Sequence, residues 1–107
     1  MTELCNIDSL EEGKSLGFLS HLGPVFAVRY DNEIYVYKNE CPHLGLNLEF
    51  NENEFLDSEG QLIQCSTHGA LFQIDTGTCL SGPCQGDHLT KVEFFIKDDV
   101  ITVGQPK

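Results

Sequence analysis

Basic residues are scarce in this chain: six Lys and Arg stand against 17 Asp and Glu, a formal net charge of −11. Such a field repels nucleic acid and anionic lipid surfaces. The shortage is uneven. Between Lys38 and Lys91 there is no Lys or Arg, whereas Glu40, Glu49, Glu52, Glu54, Asp57, Glu59, Asp75 and Asp87 all lie there. The middle of the chain is either a solvated acidic surface or a docking face for a basic partner. Long apolar runs are also missing: nothing approaches about 18 consecutive apolar residues, and residues 1–9 carry Glu3 and Asp8, so neither a membrane span nor export is expected. No G-x-G-x-x-G fingerprint occurs, which argues against unaided oxidation of NAD(P)H. Five cysteines are an odd number and a poor basis for a disulfide framework; a reducing, cytoplasmic setting is expected. A length of 107 residues with 40% hydrophobic content suits one domain, residues 1–107, without room for a second catalytic one.

What the chain does contain is a succession of short β-forming runs separated by tight-turn signals. Residues 4–7 predict a first strand, and residues 9–14 a loop or one helical turn. After Leu16-Gly17-Phe18-Leu19, a Gly23-Pro24 turn is expected to lead into a strand over 25–30, which Asp31-Asn32 turns back into a strand over 34–37. In that second strand Ile34 and Val36 share one face, Tyr35 and Tyr37 the other. Residues 47–60 are acidic and Asn-rich, with Leu48, Phe50, Phe55 and Leu56 as scattered anchors and a Ser58-Glu59-Gly60 turn. Strands are predicted over 62–64 and 71–74, the latter returning through Asp75-Thr76-Gly77 into 78–80. Residues 81–86 form a loop. Alternation over 89–96 puts Val92, Phe94 and Ile96 on one face, and Lys97-Asp98-Asp99 turns that strand into one over 100–103. The class is all-β, a small antiparallel sandwich or barrel.

Two short pairs stand out within this pattern: Cys41-Pro42-His43-Leu44-Gly45 and Cys65-Ser66-Thr67-His68-Gly69. Each offers one thiolate and one imidazole, and the residues between them suffice for the chain to run out along one strand and return along another. One structural Zn²⁺ in a tetrahedral Cys2His2 set is compatible with these donors. Usual zinc fingers, however, place two cysteines in one knuckle and two histidines in the other, whereas here each loop has one of each. That distribution suits a two-iron cluster with Cys41 and Cys65 on one iron and His43 and His68 on the other. The chain resembles the Rieske-type iron–sulfur proteins, of the small ferredoxin kind. Besides both pairs, the run His68-Gly69-Ala70-Leu71-Phe72, the Thr76-Gly77 turn and Gly82-Pro83 fall in the family's order.

The resemblance implies a Rieske [2Fe–2S] cluster, and a β base formed by the two terminal stretches with an inserted cluster-binding subdomain over about residues 40–85. The ligand loops would lie at its tip, with a Gly-Pro loop packed over them. Gly45 and Gly69 would allow sharp backbone turns beside the cluster, and Pro42 would stiffen the first loop. High-potential members carry an extra cysteine in each ligand loop, where this chain has Leu46 and Thr67, and Ser and Tyr hydroxyls near the cluster, where it has Ala70 and Phe72. With those donors missing and an acidic surround, the resemblance implies the lower part of the Rieske range of about −150 to +300 mV. It implies a one-electron carrier between a reductase and a larger oxidoreductase, commonly an oxygenase, docking near His43 and His68. A nitrite-reductase small-subunit-like protein and a metal-stabilised interaction or redox-sensing module are the alternatives. Cys79 and Cys84 flank the Gly-Pro loop as small buried side chains or as thiols beside the cluster; Cys5, His21 and His88 read as packing or surface residues.

Overall fold

The computed structural model describes residues 2–40, 55–57, 59–64, 70–82 and 87–104. Among these the strands are β1 (Thr2–Asn6), β2 (Lys14–Ser20), β3 (Gly23–Tyr30), β4 (Glu33–Lys38), β5 (Leu62–Gln64), β6 (Leu71–Gln73), β7 (Cys79–Ser81), β8 (Phe94–Lys97) and β9 (Val100–Val103), with a 3-10 turn at Ile7–Ser9. They form three three-stranded antiparallel sheets, ordered β1-β9-β8, β2-β3-β4 and β5-β6-β7. The expected all-β class is what the chain adopts. No helix among the described residues is long and apolar enough to cross a membrane.

The β2-β3-β4 sheet lies between two cores. In β3, Val25, Phe26, Ala27 and Val28 are all buried, a continuous run rather than an alternation, because both faces are covered. Val25, Ala27 and Val36 pack with Leu10, Ile101 and Val103 on one side. Phe26, Val28 and Tyr37 pack with Ile63, Phe72 and Cys79 on the other. The facing expected for β4 holds: Ile34 joins Val36 on the first side, and Tyr35 joins Tyr37 on the second.

Turn chemistry explains the hairpins. Asp31 and Asn32 have φ of 53° and 63°, and Asp98 and Asp99 have 54° and 63°, so both two-residue loops take the left-handed conformation whose twist matches the flanking strands. The Glu12 carboxylate accepts from both amides of the first loop, Asp31 N at 2.8 Å and Asn32 N at 2.7 Å. Asp57 organises the turn before β5, its Oδ1 accepting from Gln61 N and its carbonyl from Gly60 N. Ser58 of the predicted turn, and Leu48 and Phe50, lie outside the described residues.

Three expectations need correction. The first strand begins at Thr2, earlier than residue 4; residues 10–13 form a loop, one of the two alternatives for 9–14, and a 3-10 turn at Ile7–Ser9 precedes it. Here the Asn6 side chain caps Asp8 N at 2.9 Å, and the Arg29 guanidinium donates to the Ile7 and Leu10 carbonyls. Residues 16–19 belong to β2, which pairs along its length with β3. Gly23-Pro24 is not the turn; His21 and Leu22 are, and Pro24 already pairs with Leu19. Pro24 is tolerated because β4's last partner is Val25, so no ladder amide is needed one residue further out; its carbonyl still accepts from Asn39 N. Finally, residues 89–93 are not the start of a strand. Leu89 N bonds the Gly77 carbonyl, Thr90 O accepts from Lys38 N, and Val92 N bonds Val36 O, so this segment changes partner from the β6–β7 turn to β4. Leu89 and Val92 consequently enter opposite cores, and Ile96 is 47% exposed.

Candidate metal centre

The ligand candidates Cys41, His43, Cys65 and His68 lie outside the described residues, as do Pro42, Gly45, Leu46, Thr67, Gly69, Pro83 and Cys84. Their chain ends are described, and all but those that follow β4 and the Gly-Pro segment fall on one row beside the β5-β6-β7 sheet. Phe55, the first described residue after the Cys41 pair, accepts at its carbonyl from Gln64 N at 2.9 Å. Gln64, the last residue before the Cys65 pair, is opposite Leu71, which follows that pair, and Leu71 is opposite Ser81, which precedes Gly82-Pro83. Residues 55, 64, 71 and 81 therefore form a lateral row across the β5-β6-β7 sheet, about 15 Å wide at the usual strand spacing. The stretch 41–54 is anchored at its other end by β4. Asn39, beyond that strand, is buried, and its amide donates to Pro24 O.

Phe26 links the two ends of that stretch. Its ring stacks on Phe55 at 4.3 Å with a 6° tilt, and it lies 5.8 Å from the ring of Tyr37, its cross-strand partner in β4. The Phe55 amide also reaches Ser15 Oγ at 3.3 Å. A stacked pair buried on all sides holds the return of the first stretch against the central sheet.

Ala70 and Gly82 close the row. Ala70 is buried, and Gly82 has φ +108° and packs so closely that a Cβ on it would fall 2.8 Å from Ala70 Cα and 2.9 Å from Ala70 Cβ. Only glycine satisfies both the conformation and the contact. The segment ending the second pair and the segment opening the Gly-Pro loop are thereby held together backbone to backbone. Phe72 faces inward, pairing with Ile63 and Cys79 in the core. Cys79 is itself buried there, its Sγ 3.4 Å from Ser81 O.

The other candidate donors are dispersed. His21 Nδ1 meets Thr2 Oγ1 at 2.7 Å, His88 Nδ1 meets Leu89 O at 3.0 Å, and Cys5 is half-buried with its thiol pushed up by burial. Among the described residues no group of three or more potential ligands comes together. The donor set that fits an iron–sulfur group is thus that of the two sequence pairs, two thiolates and two imidazoles. Sequence reasoning missed the supports: Tyr37, Phe26 and Gly77 gave no ligand signal, and Phe55 read only as a scattered apolar anchor.

Three small antiparallel sheets, together with the thiolate and imidazole donors of the two pairs in the sequence, make this an all-β protein whose donor set fits an iron–sulfur group. The model of the Rieske [2Fe-2S] domain matches residues 1–97. The chain belongs to the Rieske [2Fe-2S] domain family, and its cofactor is a Rieske-type [2Fe–2S] cluster. It is 28% identical over 82 residues to the biphenyl dioxygenase ferredoxin subunit of Pseudomonas sp. (strain KKS102), covering 77% of this chain and 72% of that one. It is 29% identical over 104 residues to apoptosis-inducing factor 3 of Mus musculus, covering 97% of this chain but spanning only 16% of that relative's length. Among solved structures, a ferredoxin of Sphingomonas yanoikuyae B1 superposes with a TM-score of 0.74 at 26% identity, over 97% of each chain.

Proposed function

We propose that this protein is a one-electron carrier, accepting an electron from a reductase and delivering it to a larger oxidoreductase, an oxygenase of the ring-hydroxylating dioxygenase kind. Cys41 and Cys65 would hold one iron and His43 and His68 the other, with residues 40–85 as the cluster-binding subdomain and the terminal stretches as its base. The observation that carries the reading is the lateral row of residues 55, 64, 71 and 81, the chain ends of the ligand-bearing and Gly-Pro segments. When bound, the cluster supplies reversible one-electron chemistry, with the two neutral imidazoles raising its potential above that of all-cysteine ferredoxins. The chain's own residues do the holding: Phe55 and Phe26 fix the return of the first stretch, and Gly82 against Ala70 fixes the Gly-Pro segment beside the second.

Partners on both sides would dock near His43 and His68. The absence of Lys and Arg between Lys38 and Lys91 gives that half a single sign of charge and favours basic docking faces. The setting would be the cytoplasm. Support for an oxygenase recipient comes from the relative that is the ferredoxin subunit of biphenyl dioxygenase.

The test uses anaerobically purified protein: iron and zinc content, then low-temperature EPR before and after dithionite, then reduction by NADH through a flavin reductase. The reading expects two irons per chain, a rhombic signal only after reduction, and exchange that slows as salt rises. A colourless protein that keeps one zinc after reconstitution with iron and sulfide would overturn it in favour of a metal-stabilised interaction module. A cluster that exchanges no electron with the reductase, yet alters partner binding with its redox state, would favour a sensor.

A further inference from the structure

Tyr37 occupies an unusual position in the framework. It lies in β4, the strand that leads to Cys41, and is buried. Its hydroxyl donates to the Ile74 carbonyl at 2.6 Å, and Ile74 follows β6 directly. The β6–β7 turn closes over the ring. Gly77 there has φ +75°, and a Cβ on it would fall 2.9 Å from Tyr37 Cε1 and 3.3 Å from Leu89 Cβ. Residues returning from the Gly-Pro segment meet the same place: Leu89 N bonds Gly77 O, and Lys91 bridges to Tyr37 itself. Tyr37 therefore joins three parts of the frame: it belongs to the strand before the first pair, its side chain meets the sheet that carries the second at Ile74 and Gly77, and its backbone bridges to Lys91 on the return from the third segment.

We propose that Tyr37 is a positioning residue for the iron–sulfur centre, its hydroxyl fixing the β5-β6-β7 sheet against the strand that leads to the first ligand pair. The inference rests on the electron-carrier reading above. The physical reason is directionality. The core between the two sheets is formed by Phe26, Val28, Ile63 and Phe72, and apolar contacts resist separation more than they resist sliding. A short, buried hydrogen bond with one donor and one acceptor selects a single register. From Ile74, β6 runs only three residues to its start at Leu71, beside Ala70, so a shift at the tie is carried along a short, stiff strand to the end of the second pair.

The test compares Tyr37→Phe with wild type, both carrying their cluster. Tyr35→Phe, on the same strand and the same core face, is the control. Iron release to a chelator is followed at a temperature where the far-UV spectrum is unchanged, and the g-values of the reduced centre are recorded. The expected result for Tyr37→Phe is shifted g-values and about fivefold faster release, the loss of one buried hydrogen bond from the closed state, while Tyr35→Phe matches wild type. Wild-type g-values overturn the proposal, with or without faster release, because faster release alone is what any core residue would give. Should Tyr37→Phe fail to fold, Gly77→Ala presses on the same ring, and unchanged g-values there overturn the proposal equally. A wild type with no Rieske signal overturns the electron-carrier reading and this inference with it.

Discussion

Gly82→Ala is the most direct probe of how the frame holds its loops. At φ +108° a non-glycine residue is strained by about 1–3 kcal/mol. The new methyl group would also meet Ala70 Cα at 2.8 Å and Cβ at 2.9 Å, and overpacking of this kind costs about 1–3 kcal/mol more. The sum, about 2–6 kcal/mol, is a large part of the about 5–15 kcal/mol that holds a domain together. Because a bound cluster breaks two-state equilibrium behaviour, the suitable assay is the rate of unfolding in denaturant, followed by loss of cluster absorbance. Even the lower figure, expressed in the unfolding barrier, accelerates unfolding about thirtyfold. The geometry also predicts the form of rescue. Ala70→Gly in the same chain removes the contact with Cβ but leaves the closer one with Cα, so recovery is partial. An acceleration below about twofold, or complete rescue, would refute the backbone contact as the source of the cost.

Three other outcomes are expected. Ala70→Ser places a hydroxyl at a buried position two residues after His68 and should raise the midpoint potential, measured by redox titration; an unchanged midpoint would show that this position does not address the cluster. Asp99→Gly relieves a left-handed residue at φ 63° while keeping the bond from Ile7 N to the residue-99 carbonyl, and should stabilise by about 0.5 kcal/mol, read as slower denaturant unfolding; a loss of stability would count against the turn assignment. Burial, then the charge of Asp75 and the neighbouring Tyr35, pushes the Tyr37 hydroxyl well above the usual tyrosine range. The folded chain therefore keeps that proton after the unfolded chain releases it. The contribution is complete below about pH 10 and declines as pH rises further. Tyr37→Phe should unfold with a shallower alkaline dependence; parallel pH profiles would contradict this.

Local chemistry was legible in the sequence. Asp31-Asn32 and Asp98-Asp99 fix their hairpins because short polar residues tolerate left-handed backbone, and the alternation of Ile34, Tyr35, Val36 and Tyr37 assigns each side chain to a face whatever lies beyond it. The pairs Cys41/His43 and Cys65/His68 announce soft and borderline donors by residue type alone, and with them the family. Tertiary structure decided the rest. Pro24 looked like a turn because proline opposes sheet ladders, and only the end of β4 at Lys38 reveals that no ladder amide is required there. The alternation over 89–96 looked like one strand, yet Leu89 and Val92 serve different cores because the segment changes hydrogen-bond partner between Gly77 and Val36. Tyr37 carried no mark of its role, since a hydroxyl's partner 37 positions away is set by how two sheets pack. Side-chain type and near neighbours fix turns, faces and donor chemistry through short-range sterics and bonding. Which loop ends share an edge depends on contacts between residues far apart in the chain, and those exist only once the sheets have closed on a common core.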